Sequence, residues 1–155
     1  MAKHIGIVAC SAEGAALCYR TICTEAPKEM GEYAHPEVTM HTHPLSAYMK
    51  HIWAGEWKKV AELMLSSAQK VAEAGADLEA RDDAGRTVLR EAATMVSWSE
   101  VGGSDLIDFL VSAGADVNAR EDNGRTILGW AEFRATVDPI YSKIADALRA
   151  HDALN

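Results

Sequence analysis

The stretch Ala74–Ala93, AGADLEARDDAGRTVLREAA, returns as AGADVNAREDNGRTILGWAE at Ala113–Glu132, with 12 of 20 aligned positions identical. Self-similarity at a fixed period marks a repeat array, in which each unit buries its apolar face only against a neighbour. Each copy carries Ala-Gly-Ala-Asp, then a turn at Asp83-Ala84-Gly85 or Asp122-Asn123-Gly124, then Arg-Thr-x-Leu opening a helix. The residues before Ala74 follow a different pattern, so the chain reads as two kinds of protein joined at Ala74–Asp77.

Outward from the repeat, Ser104 is placed to cap a returning helix over 105–113 whose Leu106, Ile107, Phe109 and Leu110 face inward, with Gly114 closing it. Asp138-Pro139 starts a last helix, with Ile140, Ile144, Ala147 and Leu148 on its inner face. Gly-Ala-Asp at a helix end, an Asp-x-Gly turn and Thr-x-Leu at the next start resemble the ankyrin repeat. The resemblance implies a short helical stack of units 74–112 and 113–155, binding other proteins through turn tips and inner helices. Arg86, Arg90, Trp98 and Arg125 are the candidate partner surface. The period of 39, from position 74 to 113, exceeds the usual length of about 33, which puts the surplus in Thr94–Gly103, TMVSWSEVGG. The family's Thr-Pro-Leu-His stands as Thr87-Val88-Leu89-Arg90 and Thr126-Ile127-Leu128-Gly129. The usual proline start and the histidine hydrogen bond between repeats are absent, and the two losses imply weakened order between repeats.

In the first half, Ile5–Cys10 is a continuous apolar run, as expected of a strand covered on both faces. Ser11 sits where a helix N-cap belongs, so the turn Cys10-Ser11-Ala12-Glu13 offers free N–H groups to a carboxylate or phosphate. The helix fades at Pro27, and Lys28–Pro36 reads as loop. Glu37–His43 alternates as a second strand stopped by Pro44, placing His41 and His43 on one side. Two histidines fall short of a closed metal site, and no metal is assigned. From Leu45 to Ala74 the pattern is helical with a break near Gly55, and Trp53, Trp57, Val60, Met64, Ala68 and Val71 form its expected buried stripe.

The strings KHIGIVACSAEGAALCYRTIC, HPEVTMHTHPLSAYMKHI and AGEWKKVAELMLSSAQKVAEAGAD resemble the opening of the aspartate/glutamate racemase family. That family is built from two similar α/β lobes and moves a proton at the α-carbon of an amino acid, without a cofactor. The resemblance implies that Cys10-Ser11-Ala12-Glu13 and His41-Thr42-His43 descend from substrate-facing loops. It covers about half the chain and ends at Asp77, before the third strand and the Cys-Asn-Thr-like motif that supplies one proton-transferring thiol. Taking a proton from one face and delivering it to the other needs two opposed groups. Cys10, Cys18 and Cys23 match neither family motif, so no catalytic residue is assigned.

A balance of 23 acidic against 15 basic residues, net −8, disfavours nucleic acid and anionic lipid as partners. No stretch approaches the roughly 20 apolar residues that span a bilayer. The odd number of clustered cysteines reads as free thiols in a reducing compartment, the cytoplasm.

The expected fold is α/β plus α: a truncated flavodoxin-like βαβα unit with two parallel strands over 1–75, continuing into an ankyrin-like stack over 74–155. Helix 56–74 is shared, Trp57 and Val71 walling Leu89. The chain reads as a chimera or recombinant fusion. Its expected role is a non-catalytic, cofactor-free scaffold or protein-interaction module. The alternative is racemase-like activity or small-carboxylate binding at the Ser11 turn. In a sheet of the racemase type the first strand lies between the second and third, so loss of the third leaves strand 5–10 with an open edge. Such edges recruit other chains, and a homodimer through 5–10 is expected.

Overall fold

In a computed structural model, which describes residues 4–95 and 103–154, the first apolar run becomes β1 (His4–Ala9). It is followed by α1 (Ala12–Glu25), α2 (Pro27–Met30), β2 (Glu37–Thr42), α3 (Leu45–Trp53) and α4 (Trp57–Glu73). Four helices complete the described residues: α5 (Val88–Met95), α6 (Gly103–Ser112), α7 (Ile127–Ala135) and α8 (Ile140–Ala150). The chain divides into two units between Asp77 and Leu78.

In the first unit β1 and β2 form a two-stranded parallel sheet in register from His4 opposite Glu37 to Ala9 opposite Thr42. Ile7 and Ala9 pack with Ala15 and Ile22 of α1 on one face. The other face belongs to α4, and Gly6 shows how closely: a Cβ there would lie 2.1 Å from Val71 Cγ1 and 2.9 Å from Ala76 Cβ. Cover on both faces explains why β1 is an unbroken apolar run rather than an alternating one.

Several expectations differ in detail. Pro27 opens the short helix α2 inside the predicted loop, since proline at a first helical turn forfeits no hydrogen bond. Trp53 and Trp57 are 80% and 56% exposed, so the buried part of the α4 stripe is its C-terminal end, where Ser67 and Val71 face the sheet. Within its own unit Val71 covers Gly6, and Leu89 is buried in the core of the second.

In the second unit α5 packs on α6, α7 on α8, α6 on α8 and α5 on α7. Leu89, Ile107, Ile127, Ile144 and Leu148 are fully buried at the centre. The duplicated sequence is duplicated geometry. Asp82 N–H donates to the Arg86 carbonyl at 3.1 Å, and Glu121 N–H to that of Arg125 at 3.0 Å. Arg81 donates to the Gly85 carbonyl at 3.0 Å, and Arg120, thirty-nine residues on, to that of Gly124 at 2.8 Å. Arg81 also reaches the Arg120 carbonyl, tying one turn to the next. Gly85, at φ 72°, lies so near the second turn that a Cβ would stand 2.3 Å from Asp122 Oδ1.

A second recurrence links helix ends. The Glu79 carboxylate accepts the Asp116 N–H at 2.8 Å, and Asn118 Oδ1, its equivalent in the next copy, accepts that of Leu154 at 2.7 Å. Asp152, at φ 59°, takes the place that Gly114 holds after α6. Residues 152–154 thus repeat the backbone course that follows α6.

Candidate functional site

Two groups of predicted residues fall at two places, one in each unit. The first is the carboxyl end of the parallel strands, where ligands of open α/β sheets commonly sit. Ala9 lies opposite Thr42 at the end of the register, and Cys10 and His43 are the residues that leave the two strands there. Ser11 caps α1, its hydroxyl accepting the Gly14 N–H at 3.2 Å. The first-turn amides of Ala12 and Glu13 have no carbonyl partner inside the helix, which gives this end partial positive charge.

His41 and His43 share a face as expected, their rings 5.0 Å apart and edge to face. Their partners come from helices that the strand pattern could not name. His41 Nδ1 lies 2.9 Å from Ser67 Oγ, and Nε2 lies 3.1 Å from Lys70 Nζ. An ammonium only donates, so Nε2 is the acceptor, and the ring is neutral with its proton on Nδ1 toward Ser67. Burial, then Lys70, then His43 hold the His41 pKa below its ordinary value. Ser67 is fully buried and serves as a packing and hydrogen-bonding residue rather than a nucleophile. His43 stacks edge-on with Tyr48 at 6.2 Å, and among the described residues neither His43 Nε2 nor the buried Tyr48 hydroxyl has a hydrogen-bond partner.

Cys10 is exposed just before α1, while Cys18 and Cys23 lie about two and three or more turns further along α1. Among the described residues no group of three or more His, Cys, Asp or Glu side chains is placed to hold a metal ion.

The second place is the turn-and-inner-helix surface of the repeats. Arg86 is held by Asp82 at 2.6 Å and Glu91 at 3.0 Å. The Arg86 guanidinium in turn pulls the Asp82 carboxyl down to about 2. Arg125 is exposed, its guanidinium 4.9 Å from the Phe133 ring centroid. Trp98 lies outside the described residues.

Arg90 departs from the expectation of a partner surface. It is 7% exposed, its Nε donating to Glu121 Oε1 at 2.6 Å, with Thr94 beside it and the Trp130 ring centroid 3.6 Å beneath. Burial outweighs Glu121 and lowers its pKa. The histidine whose loss implied weak order between repeats is thus replaced by an arginine that bridges them. Two surface residues went unnoticed in sequence: Val88, 43% exposed, and Phe133, 55% exposed. Phe133 falls one period after Thr94, and that substitution of a ring for a hydroxyl on an inner helix was the available signal.

Among the described residues no helix is long and apolar enough to cross a membrane. No family model matches the chain. No curated protein matches it. Among solved structures, the crystal structure of an ankyrin repeat protein is similar at 23% identity with a TM-score of 0.42, over 68% of this chain and 44% of that one. The chain spans less than half the length of that protein.

Proposed function

We propose that the chain is a non-catalytic protein-interaction scaffold of the ankyrin-repeat type that self-associates through its first unit. The observation that carries this is the twice-built turn, in which Arg81 and Arg120 clasp their own loops and Arg81 also bonds the next. Such bonding holds the charged turn tips on a fixed frame, and preorganised tips lose little conformational entropy when a partner docks. Arg125 with Phe133, and Val88 beside the Arg86 ion pairs, form the docking surface on this reading; Arg90 supports it from below. The racemase-like fragment and the repeats are then a fusion, working in the cytoplasm without a cofactor. The free thiols Cys10, Cys18 and Cys23 suit that reducing compartment.

The test is capture on immobilised chain, comparing the wild type with Arg125→Glu/Phe133→Ser and with Ser11→Ala. A protein partner retained by wild type and Ser11→Ala but lost from the double variant is expected. Capture indifferent to the double variant would remove the repeat surface as the docking site.

A second reading, small-carboxylate binding at the Ser11 turn, draws on His43, which leaves β2 where Cys10 leaves β1 and whose Nε2 has no partner among the described residues. Amide shifts confined to Ser11–Ala15 and His43 on titration with succinate or aspartate would support it. In heavy water, α-proton exchange of aspartate or glutamate above buffer would bring back the racemase-like alternative.

A further inference from the structure

We propose that the first unit carries an acid-released latch, in which a proton taken up by His41 frees the last turns of α4 from the sheet while the second unit stays folded. The inference goes beyond the docking reading and does not depend on it. Alternate residues of a strand share a face, so His4, Gly6 and Val8 of β1 lie on one side with Glu37, Thr39 and His41 of β2. That side belongs to α4, whose buried residues are Ser67 and Val71. Val71 rests on Gly6, and the polar grip is on His41, with Ser67 Oγ 2.9 Å from Nδ1 and Lys70 Nζ 3.1 Å from Nε2. The same end of α4 holds the chain that leaves the unit. The Val71 carbonyl accepts the Ala76 N–H at 3.3 Å, and the His4 carbonyl that of Asp77 at 2.9 Å.

The grip works only with a neutral ring. Nε2 takes the Lys70 bond through its lone pair, and a proton there leaves two cationic donors face to face. The surroundings offer no compensation. From α4 come Lys70 and the uncharged Ser67, while the α4 carboxylates Glu62 and Glu73 are exposed. From β2 comes His43, ring to ring at 5.0 Å, with Glu37 exposed at the far end of the strand. β1 sets Val8 opposite His41, and His4, further down the face, is bonded to Thr39 at 2.9 Å. α3 brings the uncharged Tyr48 against His43; its Lys50 is exposed and its His51 is paired with Glu56 at 2.7 Å. α1 lies on the opposite face. Among the described residues His51 and His151 each have a carboxylate at 2.7 Å, whereas His41 and His43 have none. Burial, Lys70 and His43 accordingly all lower the His41 pKa. A glutamine at position 70 could donate the same bond without a charge, so what the lysine adds is a penalty on the protonated ring. Once released, His41 titrates near its ordinary value of about 6.5, and acid then favours the open form by up to about 30-fold at pH 5.

The test is residue-resolved amide hydrogen exchange of the full chain between about pH 8 and about pH 5, corrected for intrinsic rates. A helix end taken off its packing surface frays in water, so opening of the Lys70–Asp77 amides should rise toward the limit of about 30-fold. The Leu89 and Ala131 amides of the second unit should not move. His41→Gln should flatten the rise, and Lys70→Gln, which keeps the donor without the charge, should lessen it. Lys70→Gln carries the decision alone if His41→Gln does not fold. A wild-type rise under about threefold overturns the latch. So does a rise that persists undiminished in the folded variants, or one that spreads equally to Leu89 and Ala131.

Discussion

Arg90 is the residue whose loss the second unit should feel most. It is buried, bonded through Nε to Glu121 Oε1 at 2.6 Å, and stacked 3.6 Å from the Trp130 centroid. The Glu121 side chain is 10% exposed, so Arg90→Met strands a carboxylate with little water to take it up. Breaking one half of a buried pair costs about 3–5 kcal/mol, because the other charge is left buried and uncompensated. With a urea slope of about 1–2 kcal/mol/M, the midpoint of the second unit should fall by roughly 1.5 M or more. Replacing both charges should behave differently, because burial already disfavours the guanidinium charge at this site. Arg90→Met/Glu121→Gln is expected within about 1 kcal/mol of wild type, a coupling of at least about 2 kcal/mol in a double-mutant cycle. Because the chain has two units, the readout is hydrogen exchange at the Leu89 and Ala131 amides alongside the urea melt. A cost below about 1 kcal/mol for Arg90→Met, or additive single costs, would refute the clamp.

Other predictions concern the first unit and the turns. Gly6→Ala should cost about 1–3 kcal/mol by overpacking and be partly rescued by Val71→Ala, whose Cγ1 is the atom struck; a neutral Gly6→Ala would mean that α4 does not lie on β1. The His41 pKa is lowered on folding, so the unfolded chain binds the proton first: stability held above the ordinary value of about 6.5 should decline as pH falls through the lowered one. Lys70→Met removes the second cause and should raise the His41 titration midpoint in ring NMR shifts; an unchanged midpoint would count against the contact. Asp82 sits at about 2 against an ordinary 3.8, so its contribution is present above about pH 4 and lost as pH falls through 2. Arg86→Leu should move the Asp82 carboxyl carbon titration up toward the ordinary value, and no movement would show that the ion pair is not formed in solution.

What could be read from sequence and what could not divide along one line. The repeat was legible because its shared letters have backbone duties that depend on near neighbours: Gly85 turns the chain, and Arg81 and Arg120 bond carbonyls four residues ahead. β1 and the Ser11 cap were legible for the same reason. Trp53 and Trp57 were not, since periodicity gives the direction of a stripe but not how far its cover extends, and the break at Gly55 resets the helical phase between them. The site residues failed where they depend on distant partners. Arg90 looked like a surface arginine because Glu121 and Trp130, which bury it, lie about one period away. His41 read only as one of two histidines on a strand face because Ser67 and Lys70, one turn apart on α4, come from beyond the next helix.

The join itself has a physical account. Gly-Ala-Asp follows both α4 and α6, and in each place the alanine N–H returns to the helix: Ala76 to the Val71 carbonyl at 3.3 Å and Ala115 to that of Leu110 at 2.9 Å. The aspartate N–H then points away from the helix and needs an acceptor. In the first unit it finds a strand carbonyl, that of His4; in the second it finds the Glu79 carboxylate. Leu154, after α8, finds Asn118 Oδ1. The same local exit is thus satisfied by a sheet backbone or by a repeat side chain, leaving no orphaned amide in either setting. A strand-and-helix unit ending in this tripeptide can therefore run directly into a helical repeat, because the same three residues close a helix in either unit.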